Sequence, residues 1–304
     1  MQLGLILVGM MAAALCVPLA AHMAQAAPER VITFPVINGE IDDVLECAQH
    51  PTDACGKCTG PAADNVSLMN YSIMREALKV GGIKAHVKPV PSPNSERSRM
   101  MVQTGAADIK TDWAFNIDDS PNALKTEPFI RVGEYEKGLY ASRRVAGLYA
   151  NTPAESIQTL RAVSLRNWRL DWQVLESLTP ASVMNVATQE QIFSLIEAGR
   201  ADFTLLVFSS AKGMMREING IELFPIPGVK VALAGSQHFM VSRHLKDADA
   251  LVAGLNRGIK ILHKNGFIRR CLINSGIVNP QVADWTLLDQ PSYPAPKNQA
   301  ASTN

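Results

Sequence analysis

The stretch RMMVQTGAADIKTDWAF, residues 99–115, decides the fold, together with its echo IFSLIEAGRADFTLLVF at residues 192–208. Each reads as a helix that stops at a glycine, steps through Gly-x-Ala-Asp and enters a strand. The glycine supplies the left-handed helix terminus, and the short Ala-Asp step turns the chain into a sheet. Two such joints suggest one α/β unit used twice.

Working back from the first joint, ERVITFPVI (29–37) reads as a strand ending at Asn38-Gly39. A cysteine loop follows. Val66, Met69, Ile73, Ala77 and Val80 then fall at helical spacing, and Gly81-Gly82 ends that pattern. IKAHVKPV (83–90) is a second strand, NSERSRMMVQTG (94–105) a short helix and ADIKTDWAF (107–115) a third strand. The βαβαβ order predicts a parallel sheet.

The second half repeats this grammar after a strand-like crossing at GEYEKGLYASRR (133–144). Thr152-Pro153-Ala154-Glu155 has the pattern of a capping box with proline at the first helical position. AVSLRN (162–167) is a strand and LDWQVLESL (170–178) a helix. Thr188 and Gln191 form another capping-box pattern ahead of the second joint. Beyond it, VALAGSQHFMVSR (231–243) reads as one returning strand. Asp247 then caps a helix with Leu251, Leu255, Ile259 and Leu262 on one stripe, and Lys264-Asn265-Gly266 ends it. GFIRRCLINSG adds a short helix, and the tail beyond Leu288, rich in Pro, Ala and Asn, reads as disordered.

The 304 residues, 47% hydrophobic and 19% charged with a formal net charge of +1, fit one large or two modest soluble domains. A nucleic-acid or anionic-membrane partner would leave a basic excess, which this chain lacks. LGLILVGMMAAALCVPLAA (3–21), followed by Ala24-Gln25-Ala26, reads as a signal peptide over residues 1–26, although Met1-Gln2-Leu3 carries no basic residue. Leu15 before Cys16 argues against lipidation. Export to the periplasm would place Cys47, Cys55, Cys58 and Cys271 in an oxidising compartment, where disulfides are the default. Three pairings of these four remain open.

At this point the chain resembles the periplasmic solute-binding proteins of the family that includes the polar amino-acid receptors of ABC transporters. The residues that carry the resemblance are QTGAADIKTDWAF with KTEPFI downstream, IEAGRADFTLL, and DADALVAGLNRGIKILHKNGFIRRCL (247–272). The resemblance implies a type II periplasmic-binding fold with two α/β lobes, each a mixed, mainly parallel sheet flanked by helices. Lobe 1 would take residues 27–131 and 241–288, and lobe 2 residues 132–240. Two strands, near Arg131 to Ala141 and near Val231 to Ser242, would cross between them as a hinge. A small-molecule solute would sit at the carboxyl ends of the strands, in a monomer serving an inner-membrane transporter or sensor.

The resemblance also implies an arginine for a ligand carboxylate and an acidic residue for a ligand ammonium. The chain departs at both places. NIDDSPNALKTEPF (116–129) has no arginine, and after GRADFTLLVFSS the carboxylate is replaced by Leu206, Val207 or a serine. The candidate ligand-binding residues are therefore Asn38, Trp113, Phe115, Asn116, Arg166, Asn167, Trp168, Thr188, Ser209 and Ser210. Arg166, between a strand and a helix start, suits an anion. The aromatic residues suit stacking or core packing alike, and Thr188 suits a cap.

Other chemistries are weighed against this. Cys55-Gly56-Lys57-Cys58 has redox-dithiol spacing, but loop residues stand where a helix should follow. A zinc site from the cysteines and His50 suits an oxidising compartment poorly, and Thr59 stands where haem attachment needs histidine. No cofactor or metal is called for, and no hydrolase motif appears. A dehydratase-like cleft enzyme of the same fold would need a general acid, for which Asp118, Asp119, Glu134 and Glu136 are available. A redox accessory protein using the cysteine loop is the remaining alternative.

Overall fold

The computed structural model describes residues 30–48, 66–151 and 157–288. The proposed signal segment, Cys55, Cys58, the Thr152–Glu155 cap and the tail lie outside them. So does the side chain of Cys47. No helix among the described residues is long and apolar enough to cross a membrane.

Strand β1 (Arg30–Ile37) pairs in parallel with β2 (Ala85–Ser92). Helices α1 (Ile41–Ala48) and α2 (Val66–Val80) lie between them in sequence. β1 buries Ile32, Phe34 and Val36, and α2 answers with Leu68, Met69, Ile73, Met74 and Ala77. α3 (Ser95–Gln103) then leads to β3 (Ile109–Trp113), the five-residue α4 (Ala114–Asp118) and β4 (Ala123–Lys125). The late strand β11 (Gln237–Ser242) inserts antiparallel between β3 and β4. The first half therefore holds two small sheets, because only β1 and β2 keep the parallel pairing that βαβ order predicts, while β3, β11 and β4 form an antiparallel one.

The second half is built on a seven-stranded sheet. β5 (Glu136–Ala141) runs antiparallel to both β8 (Phe203–Leu206) and β10 (Ile221–Ala232). β6 (Arg161–Ser164) lies between β8 and β7 (Ser182–Asn185) and is parallel to each. α5 (Arg143–Leu148), α6 (Arg169–Ser177) and α7 (Gln189–Glu197) accompany it, and β9 (Arg216–Ile218) pairs with β10. The chain closes with α8 (Ala248–Lys264), α9 (Phe267–Asn274) and β12 (Thr286–Leu287), which pairs with β10.

The duplicated joint is visible bond for bond. In the first copy Asn94 caps α3 by accepting from Arg97 N, Gly105 (φ 76°) ends it, and Gly105 N donates to Val102 O. In the second, Thr188 caps α7 by accepting from Gln191 N, Gly199 (φ 65°) ends it, and Gly199 N donates to Ile196 O. Every counterpart lies 94 residues further on. The aspartates then do the same work. Asp108 accepts from Thr33 N at 2.7 Å and Thr33 Oγ1 at 2.9 Å, and its own N–H donates to Thr33 O, which sets β3 beside β1. Asp202 accepts from Arg161 N at 2.8 Å, Nε at 2.9 Å and Nη2 at 2.9 Å, and its N–H donates to Arg161 O, which sets β8 beside β6.

Four sequence readings need correction. The loop expected after Gly39 opens with α1. The strand expected over 133–144 ends at Ala141, and α5 follows with Ser142 as its cap. The single strand expected over 231–243 breaks at Leu233–Ser236, the end of β10 belonging to one sheet and β11 to the other. Asp247 precedes α8 but makes no side-chain cap; its carboxylate pairs with the Arg30 guanidinium instead. The stripe Leu251, Leu255, Ile259 and Leu262 is buried as expected. At the α2–α8 contact a Cβ on Gly258 would lie 2.0 Å from Ala77 O, so the helices cross with their backbones in contact.

Candidate cleft between the two halves

Three segments connect the two halves, and the first two, between β4 and β5 and between β10 and β11, are bonded to each other. Gln237 N donates to Ile130 O at 2.9 Å, Leu233 N to Tyr135 O at 2.9 Å and Gly133 N to Leu233 O at 3.3 Å. His238 ties this junction to the first half, with Nδ1 2.7 Å from Thr126 O and Nε2 2.8 Å from Ser236 Oγ. A carbonyl only accepts, so Nδ1 carries the proton and Nε2 accepts from the serine. Burial pushes the His238 pKa down, which favours this neutral form.

Residues from both halves converge here. Trp113 ends β3, Ala114 N donates to Ser236 O at 3.0 Å, and the Trp113 ring lies 5.4 Å from that of Tyr135. A Cβ on Gly235 would lie 2.6 Å from Leu170 Cδ1 and 3.0 Å from Trp113 Cε3, so glycine lets both halves approach the crossing. Across the junction, the Arg169 guanidinium of α6 sits 4.6 Å from the centre of the Phe115 ring of α4. Phe115 and Arg169 thus link the two halves directly.

A buried charge lies beside this crossing: Lys137, the second residue of β5. Its Nζ is 2.5 Å from Asp171 Oδ1 in the first turn of α6, with the side chains 11% and 8% exposed. The same ammonium is 5.5 Å from the Trp168 ring centre and 5.9 Å from that of Tyr135. Burial, and next the negative charge of Asp171, push the Tyr135 pKa up.

A second network positions the first-half rim. Asp112 on β3 accepts from Lys110 Nζ at 2.6 Å and Arg99 Nε at 3.2 Å through one oxygen. Through the other it accepts from Trp113 N at 2.8 Å and Asn116 Nδ2 at 2.7 Å. Burial raises the Asp112 pKa, but Lys110, Asn116 and Arg99 outweigh it and hold the carboxyl below its usual range. Burial lowers the Lys110 pKa.

The other sequence candidates are spread around this junction. Trp168, half-buried, is the residue before α6 and its N–H donates to Leu165 O. Arg166 is exposed, its guanidinium 5.3 Å from the Trp172 ring centre, and Asn167 is exposed beside it. Asn38 is exposed after β1, in the same turn as Glu40, whose charge acts on Tyr135. Asn116 is engaged with Asp112, and Thr188 with its own helix. Ser209 is buried and accepts from Ala211 N at 2.9 Å, while Ser210 is exposed. Cys271 is buried on α9. Of the candidate acids, Asp118 pairs with Lys125, Glu134 accepts from Arg131 N and Glu136 pairs with Lys230.

Sequence reasoning missed Tyr135, Lys137, Asp171 and Gly235. The available signal was the alternation of Tyr135, just before β5, with Lys137 and Leu139 within it, which puts a lysine on an otherwise apolar face. Of two open grooves, the larger borders the first crossing segment at Pro128 and Arg131. It encloses about 750 Å³ and also includes Glu127, Asn256 and Lys260; the other, of about 500 Å³, includes Asn185, Ala187 and Gln191.

No protein-family model matches the sequence, and no curated protein matches it. Solved structures do. The VFT2 domain of Bordetella pertussis BvgS superposes with a TM-score of 0.51 at 13% identity, over 78% of this chain and 91% of that one. Substrate-binding domain 2 of Lactococcus lactis GlnP, in an open conformation, gives 0.50 at 11% identity, over 83% of this chain and 98% of that one. The chain has the two-lobed, type II periplasmic-binding fold. Trp113, Phe115, Tyr135, Lys137, Trp168, Arg169 and Asp171 stand at the junction of its two halves. At these identities the likeness concerns the fold alone.

Proposed function

We propose that this chain is an exported, noncatalytic solute-binding protein that holds a small polar or anionic molecule between its lobes for an inner-membrane transporter or sensor. The observation that carries the reading is the convergence of two repeated α/β units on one aromatic-lined cleft, at two crossing segments able to act as a hinge. Stacking on Trp113 and Trp168 would hold a planar or apolar part of the solute. Arg166 and Arg169 would meet its negative groups. Lobe 1 would comprise β1 to β4 with β11, α8 and α9. Lobe 2 would comprise β5 to β10 with β12, so the chain end returns to lobe 2 and does not stay with lobe 1.

The type II binding fold of the chain's structural neighbours, a fold used outside the cytoplasm, supports export. Cys271 is buried on α9, a placement that would suit a disulfide in an oxidising compartment. A bridge to the loop holding Cys47, Cys55 and Cys58 would brace lobe 1.

A thermal-shift panel of small organic anions and polar solutes tests the reading, since a compound that binds only the folded state raises the melting temperature. We expect at least one compound to shift the wild type and to lose most of that shift with Trp168→Ala. A cleft enzyme is the second reading, favoured by the contact between Ser236 and a neutral His238. Fluorophosphonate labelling of Ser236 would support it over the first.

A further inference from the structure

We infer that the floor of the cleft is a binding pocket for a primary ammonium group that the protein fills with its own Lys137, so that solutes bearing an ammonium are refused there. The exclusion of such solutes rests on the cleft reading above; the pocket does not.

The geometry is that of cation recognition. One wall is the Asp171 carboxylate, 2.5 Å from Lys137 Nζ. Two more are the faces of Trp168 and Tyr135, at 5.5 and 5.9 Å, whose π-electrons attract a cation. Trp113 from the other half backs the Tyr135 ring. The Lys137 ammonium is therefore placed as a bound amine would be, on a four-carbon stem from β5. A lysine serving packing alone would need neither ring.

The inference differs from a plain buried ion pair in what happens when the stem is removed. A pair that merely fills space leaves an uncompensated Asp171 and no selectivity. A true pocket accepts the missing cation from solution.

The test uses the full chain and n-butylammonium chloride, with sodium chloride at equal concentration as the control. Lys137→Ala should melt below the wild type, and n-butylammonium should restore the melting temperature in a saturable way, with one-to-one binding by calorimetry. The wild type and Lys137→Met should show no amine-specific shift. Adding Asp171→Asn to Lys137→Ala should weaken binding by about tenfold or more, since the charged partner is gone. Should Lys137→Ala not fold, Lys137→Gln keeps most of the stem, and methylammonium takes its place as the probe. No amine-specific stabilisation of either variant, or equal stabilisation without Asp171, would overturn the inference. A wild type that binds nothing in the solute panel while Lys137→Ala binds butylammonium would sink the cleft reading and leave the pocket standing.

Discussion

The joint at Gly105–Asp108 and the joint at Gly199–Asp202 share their backbone and differ in their partners. Asp108 grips the uncharged Thr33; Asp202 grips Arg161 with both oxygens, and Arg161 Nη2 also reaches Gly199 O at 2.8 Å. The strands that leave them diverge further. β3 buries the charged Lys110 and Asp112, whereas the positions 94 residues later on β8 are Thr204 and Leu206. The turn, the left-handed glycine and the carboxylate that catches the neighbouring strand are geometric needs, and both halves meet them alike. Side chains beyond that step serve the local surroundings. In the first half a charge network holds Trp113 and Asn116 at the cleft rim, and in the second a hydrophobic cluster with Tyr140, Ile192 and Phe208 fills the same place.

The largest effect should come from the charged half. Asp112→Ala leaves Lys110 and Arg99 without their shared carboxylate and should cost about 3–5 kcal/mol in urea unfolding. Leu206→Ala, its positional counterpart, should cost about 2–3 kcal/mol and leave the Trp113 fluorescence of the folded state unchanged. If both variants disturb Trp113 equally, the contrast between the halves fails.

At the joints, Asp108→Ala and Asp202→Ala each strand a backbone N–H, and each should cost about 1–3 kcal/mol. The second loss alone should shrink at high salt, because only Asp202 faces a guanidinium in a partly exposed site. Equal salt dependence would break the distinction.

Acid should expose the same difference. The Asp202 pKa is held down chiefly by the hydrogen bonds from Arg161. Its contribution is present above the unfolded value of about 3.9 and is lost as pH falls through the lower folded value. Unfolding free energy measured from pH 6 to pH 2 should fall less steeply in Asp202→Asn than in the wild type. Smallest are the caps: Thr188→Ala and Asn94→Ala should each cost about 1 kcal/mol, seen as slightly lowered melting temperatures.

What the sequence made legible was local. The joints, the Thr188 box and the α8 stripe are fixed by residues within a turn or two of one another, and period and capping chemistry expose them. The break at Leu233–Ser236 was hidden because apolar residues continue through it, and only the approach of Leu170 and Trp113 explains why Gly235 stands there. α5 was hidden by its brevity. The core of the site lay furthest from view. Lys137 and Asp171 are 34 residues apart, one on a strand and one on a helix. Strand alternation gives the face on which Lys137 lies but not what covers it. Arg30 and Asp247 meet across 217 residues, so an aspartate placed as a cap was committed elsewhere.

The central claim is that solute is held, unaltered, between the halves. Calorimetric titration of the compound giving the largest thermal shift, into the wild type and into Trp113→Ala and Trp168→Ala, tests it most directly. The account predicts one-to-one binding, compound recovered unchanged, and affinity reduced by about tenfold or more in each variant. Unchanged affinity in both variants, or conversion of the compound by the wild type, would contradict it.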